Sequence, residues 1–348
     1  MKLNKTPVRT SKNFNINNID LENFEIPKIV GNFKNIKITD NINFDNNTSD
    51  INLVYGLGDT LTNNIKNNAN IKINLIIDSK KSEESKIEFN FDEENNALID
   101  DIEIIANENT NSTIVIKYTS KCESKAFHNG IIRVTAKPNS IINIVVVNLL
   151  NTKSSNFIAI ENNIEENANL NFTIVDFGGK ASITNYYSNL IGNSSENKLN
   201  TIYLGKEDQI FDLNYIGELR GEKTNINIEV QGALKDNAKK HFKGTIDFKK
   251  GCKKAKGNEN ESCMMLSENA KSLALPMLLC SEEDVEGNHS TSSGKIGEKE
   301  LFYIMSRGLE EKEAMKLMVK ARFNKILEAI KDAELKEQII NEIDKRLD

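Results

Sequence analysis

Between residues 71 and 248 one local pattern recurs again and again, and it limits what this chain can fold into. Short runs in which β-branched and aromatic residues alternate with polar ones (71–77, 87–91, 113–118, 131–135, 141–147, 170–177, 199–204, 210–219, 226–230 and 245–248) are separated by links rich in Asn, Gly, Ser and Lys. Period-2 alternation is the signature of strands, and hardly any helical periodicity intervenes. The spacing of roughly ten to fifteen residues leaves an all-β architecture. A sandwich, a barrel and a parallel β-helix all fit. Proline is scarce and Asn-rich corners recur, as at 163–171 and 192–200. Asn tolerates the left-handed backbone of tight solenoid corners, although simple base bias in the genome explains abundant Asn equally well.

Outside this region the character changes twice. Residues 1–65 read as an irregular N-terminal segment, punctuated by Pro7, Pro27 and polar runs. After Gly297 the pattern becomes helical, first over 298–306 and then over 310–348, with Arg307-Gly308 as a stop between them. Ala314, Leu317, Met318, Ala321, Leu327 and Ile330 recur at helical spacing, with Lys and Glu on the other face. The expected organisation is therefore 1–65 irregular, 66–297 β core and 298–348 helical.

With 348 residues, 38% hydrophobic and 28% charged, and a mean hydropathy of -0.47, the chain is expected to be a soluble globular protein. Its longest apolar run, 141–150, is interrupted by Asn143 and Asn148 and is too short to span a bilayer. The Asn- and Lys-rich start has no apolar signal segment, so a cytoplasmic location is expected. A formal charge of -6 without a basic block gives nucleic acid or a membrane surface little to hold. Four cysteines without a C-x-x-C pair argue for reduced thiols and against a closed four-Cys metal site.

No phosphate loop, dinucleotide fingerprint or nucleophile elbow is present. Of three histidines, His128 and His241 read as packing or hydrogen-bonding residues. His289 differs, because Cys280, Glu282, Glu283, Asp284, Glu286 and His289 lie within ten residues. Thiolate, imidazole and carboxylate are the groups that hold iron or zinc. In an extended stretch Cys280, Glu282, Asp284 and Glu286 would share a face. The alternative is a solvated acidic loop with an inert thiol. Cys263 reads as a small core residue, while Cys122 and Cys252 sit among lysines able to lower a thiol pKa but have no acidic or His neighbour arranged as a site, so both read as structural or incidental.

From Ala238 to Phe323 the sequence resembles the SufB/SufD family of iron-sulfur cluster assembly proteins. The pieces that carry it are KHFKGTI at 240–246, MMLSENAK at 264–271, Pro276 followed by EDVEGNH at 283–289, and IGEKELFYIMSRGLEEKEA at 296–314; FHNGIIRV at 127–134 looks like a family strand too. The resemblance implies a right-handed parallel β-helix core with a C-terminal α-helical domain. It also implies a non-enzymatic scaffold that pairs with a SufB-like subunit. A SufC-like ABC ATPase would dock on the helices through Leu301, Phe302, Tyr303, Met305, Arg307, Ala314, Leu317 and Met318. A transient, shared iron-sulfur cluster would form at the subunit interface, and no nucleotide would be bound by this chain.

Within the family the chain is more like SufD than SufB. His289 falls on the family's His, whereas Glu261 stands where SufB-type proteins carry a cysteine, Ser290 replaces their carboxylate after the His, and Gly287 replaces the Cys of many SufD-type sequences. Candidate interface residues are His289, Cys280, Glu282, Asp284 and Glu286, with His289 and Cys280 as metal ligands. A second reading is a scaffold that pairs with a copy of itself and holds the cluster alone. A carbohydrate-active β-helix enzyme is a third, disfavoured by the absence of tryptophan.

Overall fold

A computed structural model describes residues 1–10, 16–22, 24–27, 32–39, 44, 45, 47–78 and 83–348. The alternating runs are strands, and they coil into a parallel β-solenoid of two facing sheets. One sheet contains Glu83–Phe91, Asn111–Ser120, Ile141–Leu149, Asn169–Asp176, Glu196–Gly205, Asn225–Leu234, Ala255–Met265 and Val285–Lys295. The other contains Ile71–Ile77, Ala97–Ala106, Phe127–Ala136, Ser155–Ile164, Ala181–Leu190, Ile210–Leu219, Lys239–Phe248 and Lys271–Cys280. Successive strands go to opposite sheets, so each strand pairs in parallel with the strands two before and two after it.

Side chains of one strand parity fill the interior as columns of Ile, Leu, Phe and Tyr, including the stacked rings of Phe89 and Tyr118, 5.1 Å apart. A hydrogen-bonded polar group also enters this interior. His128 is fully buried with Nε2 2.7 Å from Asp100 and Nδ1 2.6 Å from Asn156. It is structural, as the sequence suggests.

Corners between sheets repeat one device, a residue with φ near +55° to +60°: Asn109, Asn139, Asn167, Ser194, Glu207, Lys223, Asp236 and Lys254. Asn fills the early corners, and Asn side chains also form ladders between turns, with Asn171 donating to Asn143 and Asn189 to Asn163, both at 3.1 Å. Later corners use residues that dislike this backbone region. Glu207→Asn is therefore expected to stabilise the fold by about 0.5–1 kcal/mol, read as a rise in the urea midpoint with unchanged slope.

The two flat faces are each covered by a chain terminus. On one sheet, Ile99, Ile131, Phe157 and Ile183 pack against Leu3, Leu57 and the short helix α1 (Asp59–Asn68), which contributes Leu61 and Ile65. On the other, Val145, Val175, Phe177, Ile202 and Leu204 pack against α3 (Glu311–Leu327) and α4 (Ala333–Leu347), with Phe177 and Phe323 stacked at 6.4 Å. Arg346 of α4 is buried and reaches the backbone carbonyls of Leu150 and Phe177.

The helical stripe read from the sequence is corrected in part. The buried face of α3 runs through Ala314, Val319, Phe323, Ile326 and Leu327, while Leu317 and Ala321 point to solvent. Packing against both the solenoid face and α4 selects a different line of contact from the one that spacing suggests.

The two ends of the solenoid differ. At the start, the antiparallel strands Ile36–Ile38 and Phe44–Asp45 lie along the first turn. At the other end, Lys271–Cys280 and Val285–Lys295 are the outermost strands of their sheets, and α2 (Glu298–Met305) follows directly.

Candidate functional site: the open last turn

Val285–Lys295 pairs only with Ala255–Met265 and is exposed along almost its whole length. Register puts His289 on Glu259, Thr291 on Glu261 and Ser293 on Cys263. In-register residues of parallel strands point to the same face. That face is the interior, because the Glu259 carboxylate reaches across to Gly244 of the opposite sheet, where an added Cβ would lie only 2.1 Å from it. His289 thus stands at the mouth of the solenoid, one step above a buried carboxylate.

Beneath the mouth the interior is ionic instead of apolar. Lys240 and Glu261 are both fully buried, with Nζ donating to Oε1 at 2.8 Å, and the Tyr203 hydroxyl donates to the same oxygen at 3.1 Å. Glu259 is 2% exposed and neither of its oxygens has a hydrogen-bond partner. Burial, and then the charge of Glu261, push its carboxyl up to about 8. Burial also raises the Cys263 thiol, against the opposing pull of Lys240. This cluster escapes a motif search, since Glu259 and Glu261 sit in the polar run 256–262. Their alternation with Cys263 on one strand face is the signal that reveals them.

The acidic residues read from the sequence are placed elsewhere. Residues 281–284 form the link between sheets, so the alternation assumed for an extended stretch is broken there. Exposed Cys280 donates its thiol to the carbonyl of Glu282 at 2.9 Å. The Glu282 carboxylate accepts from the amides of Gly251 (2.9 Å) and Glu283 (3.1 Å), and the Gly251 bond first of all lowers its pKa. The carbonyl of Asp284 accepts from the amide of Lys254, and Glu286 pairs with Lys256 at 3.0 Å on the outer face, opposite His289. Cys280, Glu282, Asp284 and Glu286 therefore do not share a face with one another. Among the described residues no three His, Cys, Asp or Glu side chains converge as a metal would require. Cys252 is buried, and burial drives its thiol up to about 11 despite the neighbouring lysines, in keeping with a structural residue.

Beside the open turn, α2 exposes apolar surface. Phe302 is 74% and Tyr303 58% exposed, Met305 and Leu317 are exposed, and Leu301 is half-buried. Arg307 lies over the Tyr303 ring and donates to its hydroxyl at 3.0 Å. Ala314 is fully buried and Met318 packs against the solenoid side, which removes Ala314 from any docking surface and leaves Met318 at its margin. No helix among the described residues is long and apolar enough to cross a membrane.

A parallel solenoid with both flat faces covered by flanking segments of its own chain, one end open and an imidazole at the opening belongs to the class of parallel β-solenoid proteins. More specifically, this chain belongs to the SufBD family: the model described as "SUF system FeS cluster assembly, SufBD core domain" matches residues 89–322. It is 24% identical over 253 residues to the iron-sulfur cluster assembly protein SufD of Bacillus subtilis, covering 72% of this chain and 58% of that protein. SufD of Escherichia coli is 21% identical over 240 residues, 69% of this chain and 57% of that protein. An iron-sulfur cluster assembly SufBD family protein of Pyrococcus horikoshii is 32% identical over 170 residues, 48% of this chain and 37% of that protein. The chain thus spans less than two thirds of the length of these relatives. The family and the mainly β, parallel solenoid fold with C-terminal helices agree with the reading from sequence.

Proposed function

We propose that this chain is a SufD-like scaffold subunit that pairs end to end with a SufB-like solenoid, recruits a SufC-like ABC ATPase, and itself catalyses no turnover. The observation that carries the reading is the open last turn. Two parallel edge strands with unpaired outward backbone groups are a template for further strands, and a monomer that keeps such an edge uncovered risks indiscriminate association. The two ends are unlike, for at the start short antiparallel strands lie along part of the first turn, whereas the end that bears His289 presents a full-length parallel strand.

A nascent iron-sulfur cluster is cargo in this reading. His289 offers one ligand, the partner supplies others, and the few ligands from each side let the product leave when the interface opens. ATP hydrolysis falls to the partner that docks on α2, where Phe302 and Tyr303 stand free in solvent. The rival reading, a scaffold that pairs with itself and holds the cluster alone, is less favoured, since Cys280 is turned to the Glu282 carbonyl and its acidic neighbours point apart.

Co-expression with SufB-like and SufC-like partners tests the proposal. The wild-type chain is expected to co-purify with both, and Phe302→Glu/Tyr303→Glu to lose the ATPase while keeping the SufB-like subunit. This surface pair is preferable to deleting the helices, because deletion would strip the cover from Val145, Val175 and Phe177. Failure of the wild type to co-purify in any combination would reject the reading.

A further inference from the structure

On the sheet face opposite the C-terminal helices, the N-terminal segment and the strands Ile210–Leu219 and Lys239–Phe248 enclose a groove of about 750 Å³. Its rim carries Lys2, Lys5, Arg9, Lys239 and His241 against one carboxylate, Asp20, while the Asp212 carboxylate in the wall lies 3.6 Å from the His241 Nδ1. Asp20 is already engaged, with Oδ1 3.0 Å from the amino group of Met1. Among the described residues, the side chains of Lys2, Lys5, Arg9 and Lys239 have no carboxylate partner. A chain of net charge -6 has thus gathered unpaired cations around one cavity.

The cavity is built, not incidental. Asn4 is buried at φ 55° with its amide on the carboxylate and carbonyl of Asp212, and Lys243 clamps both the Asn4 carbonyl (2.8 Å) and Asp212 (2.6 Å). On the far wall, Asn17 takes the amide of Thr10 at 2.8 Å and returns its own to the Thr10 carbonyl. These bonds hold Lys5 and Arg9 on the same side as Lys239. Ile19, Leu21 and Ile210 add apolar lining to the groove.

We propose that this groove binds a small molecule bearing a diphosphate. Several cations on separate elements around one cavity suit two adjacent phosphates better than one, and apolar lining suits an organic remainder. Side chains, in place of a phosphate loop's backbone amides, would do the holding, which is why no motif announces it.

The test is calorimetric titration of the full chain with ADP, AMP and pyrophosphate at low salt. ADP and pyrophosphate are expected to bind saturably at one site, AMP at least about tenfold more weakly. Lys5→Ala/Lys239→Ala is expected to weaken ADP at least about tenfold, whereas Lys295→Ala, at the open end, leaves it unchanged. No saturable ADP or pyrophosphate binding, AMP binding as tightly as ADP, or indifference to the double substitution with an unaltered circular dichroism spectrum would each overturn the assignment.

Discussion

Lys240→Ala is expected to destabilise the fold by about 3–5 kcal/mol, seen as a fall in the urea midpoint. Lys240 and Glu261 are both fully buried, and the pair stands inside a solenoid whose interior is lined mainly by hydrocarbon. Removing the ammonium leaves the buried Glu261 carboxylate without its counter-charge and with the Tyr203 hydroxyl as its remaining hydrogen-bond donor. The cost comes from the stranded charge more than from the lost attraction. Lys240→Met/Glu261→Leu, which removes both ions and keeps the volume, is therefore expected to recover most of the loss. Full stability in Lys240→Ala would mean that water reaches this turn and that the site is not sealed.

The second large effect depends on pH. An ordinary glutamate ionises near 4.5, and burial pushes Glu259 up to about 8. Between these values the folded chain holds a proton that the unfolded chain releases. Stability contributed by that proton is present below about pH 4.5 and is lost as pH rises through about 8. Asp176, raised from 3.8 to about 6 chiefly by burial, acts with the same sign over a lower window. Glu259→Gln cannot ionise, so it should flatten the decline between pH 5 and 9 and exceed the wild type by about 2–4 kcal/mol at pH 9. A difference between the two proteins that stays constant from pH 5 to 9 would show that Glu259 ionises as a solvated side chain does.

Much of the fold was legible in the sequence, and the misses have physical causes. Runs such as 71–75 and 87–89 alternate clearly because Ile73, Leu75, Ile87 and Phe89 meet hydrocarbon while Lys72, Asn74 and Glu88 between them reach solvent. Ala97–Ala106, Ser155–Ile164 and Ala181–Leu190 went unread as strands, since Asp100, Asn156 and Ser182 break the apolar column on the inner face. Those polar residues belong to the hydrogen-bonded series around His128, in which Asn156 donates to Ser182 at 2.9 Å. Covering both faces of a strand also hides its period, and Ala181–Leu190 is buried almost throughout.

At the site, His289 was legible through resemblance and its local company was not. Spacing placed Cys280, Glu282, Asp284 and Glu286 together on the assumption of one continuous strand, whereas the chain crosses between sheets at 281–284. Glu259 lies thirty residues earlier and reaches His289 only through parallel register. Long-range neighbours of this kind are set by the length of each coil, which no local pattern reports.

The unequal ends of the solenoid also govern its cooperativity. In a stack of coils, each coil draws its stability from two neighbours, but the final one has a single neighbour and is the first to open. Amide exchange should accordingly be fastest along Val285–Lys295 and slow through Ile210–Leu219. An end that frays can accept a partner by finishing its own folding against it. Association there would complete the chain's last coil as well as join two molecules, and letting go of the partner would return that coil to its loosened state.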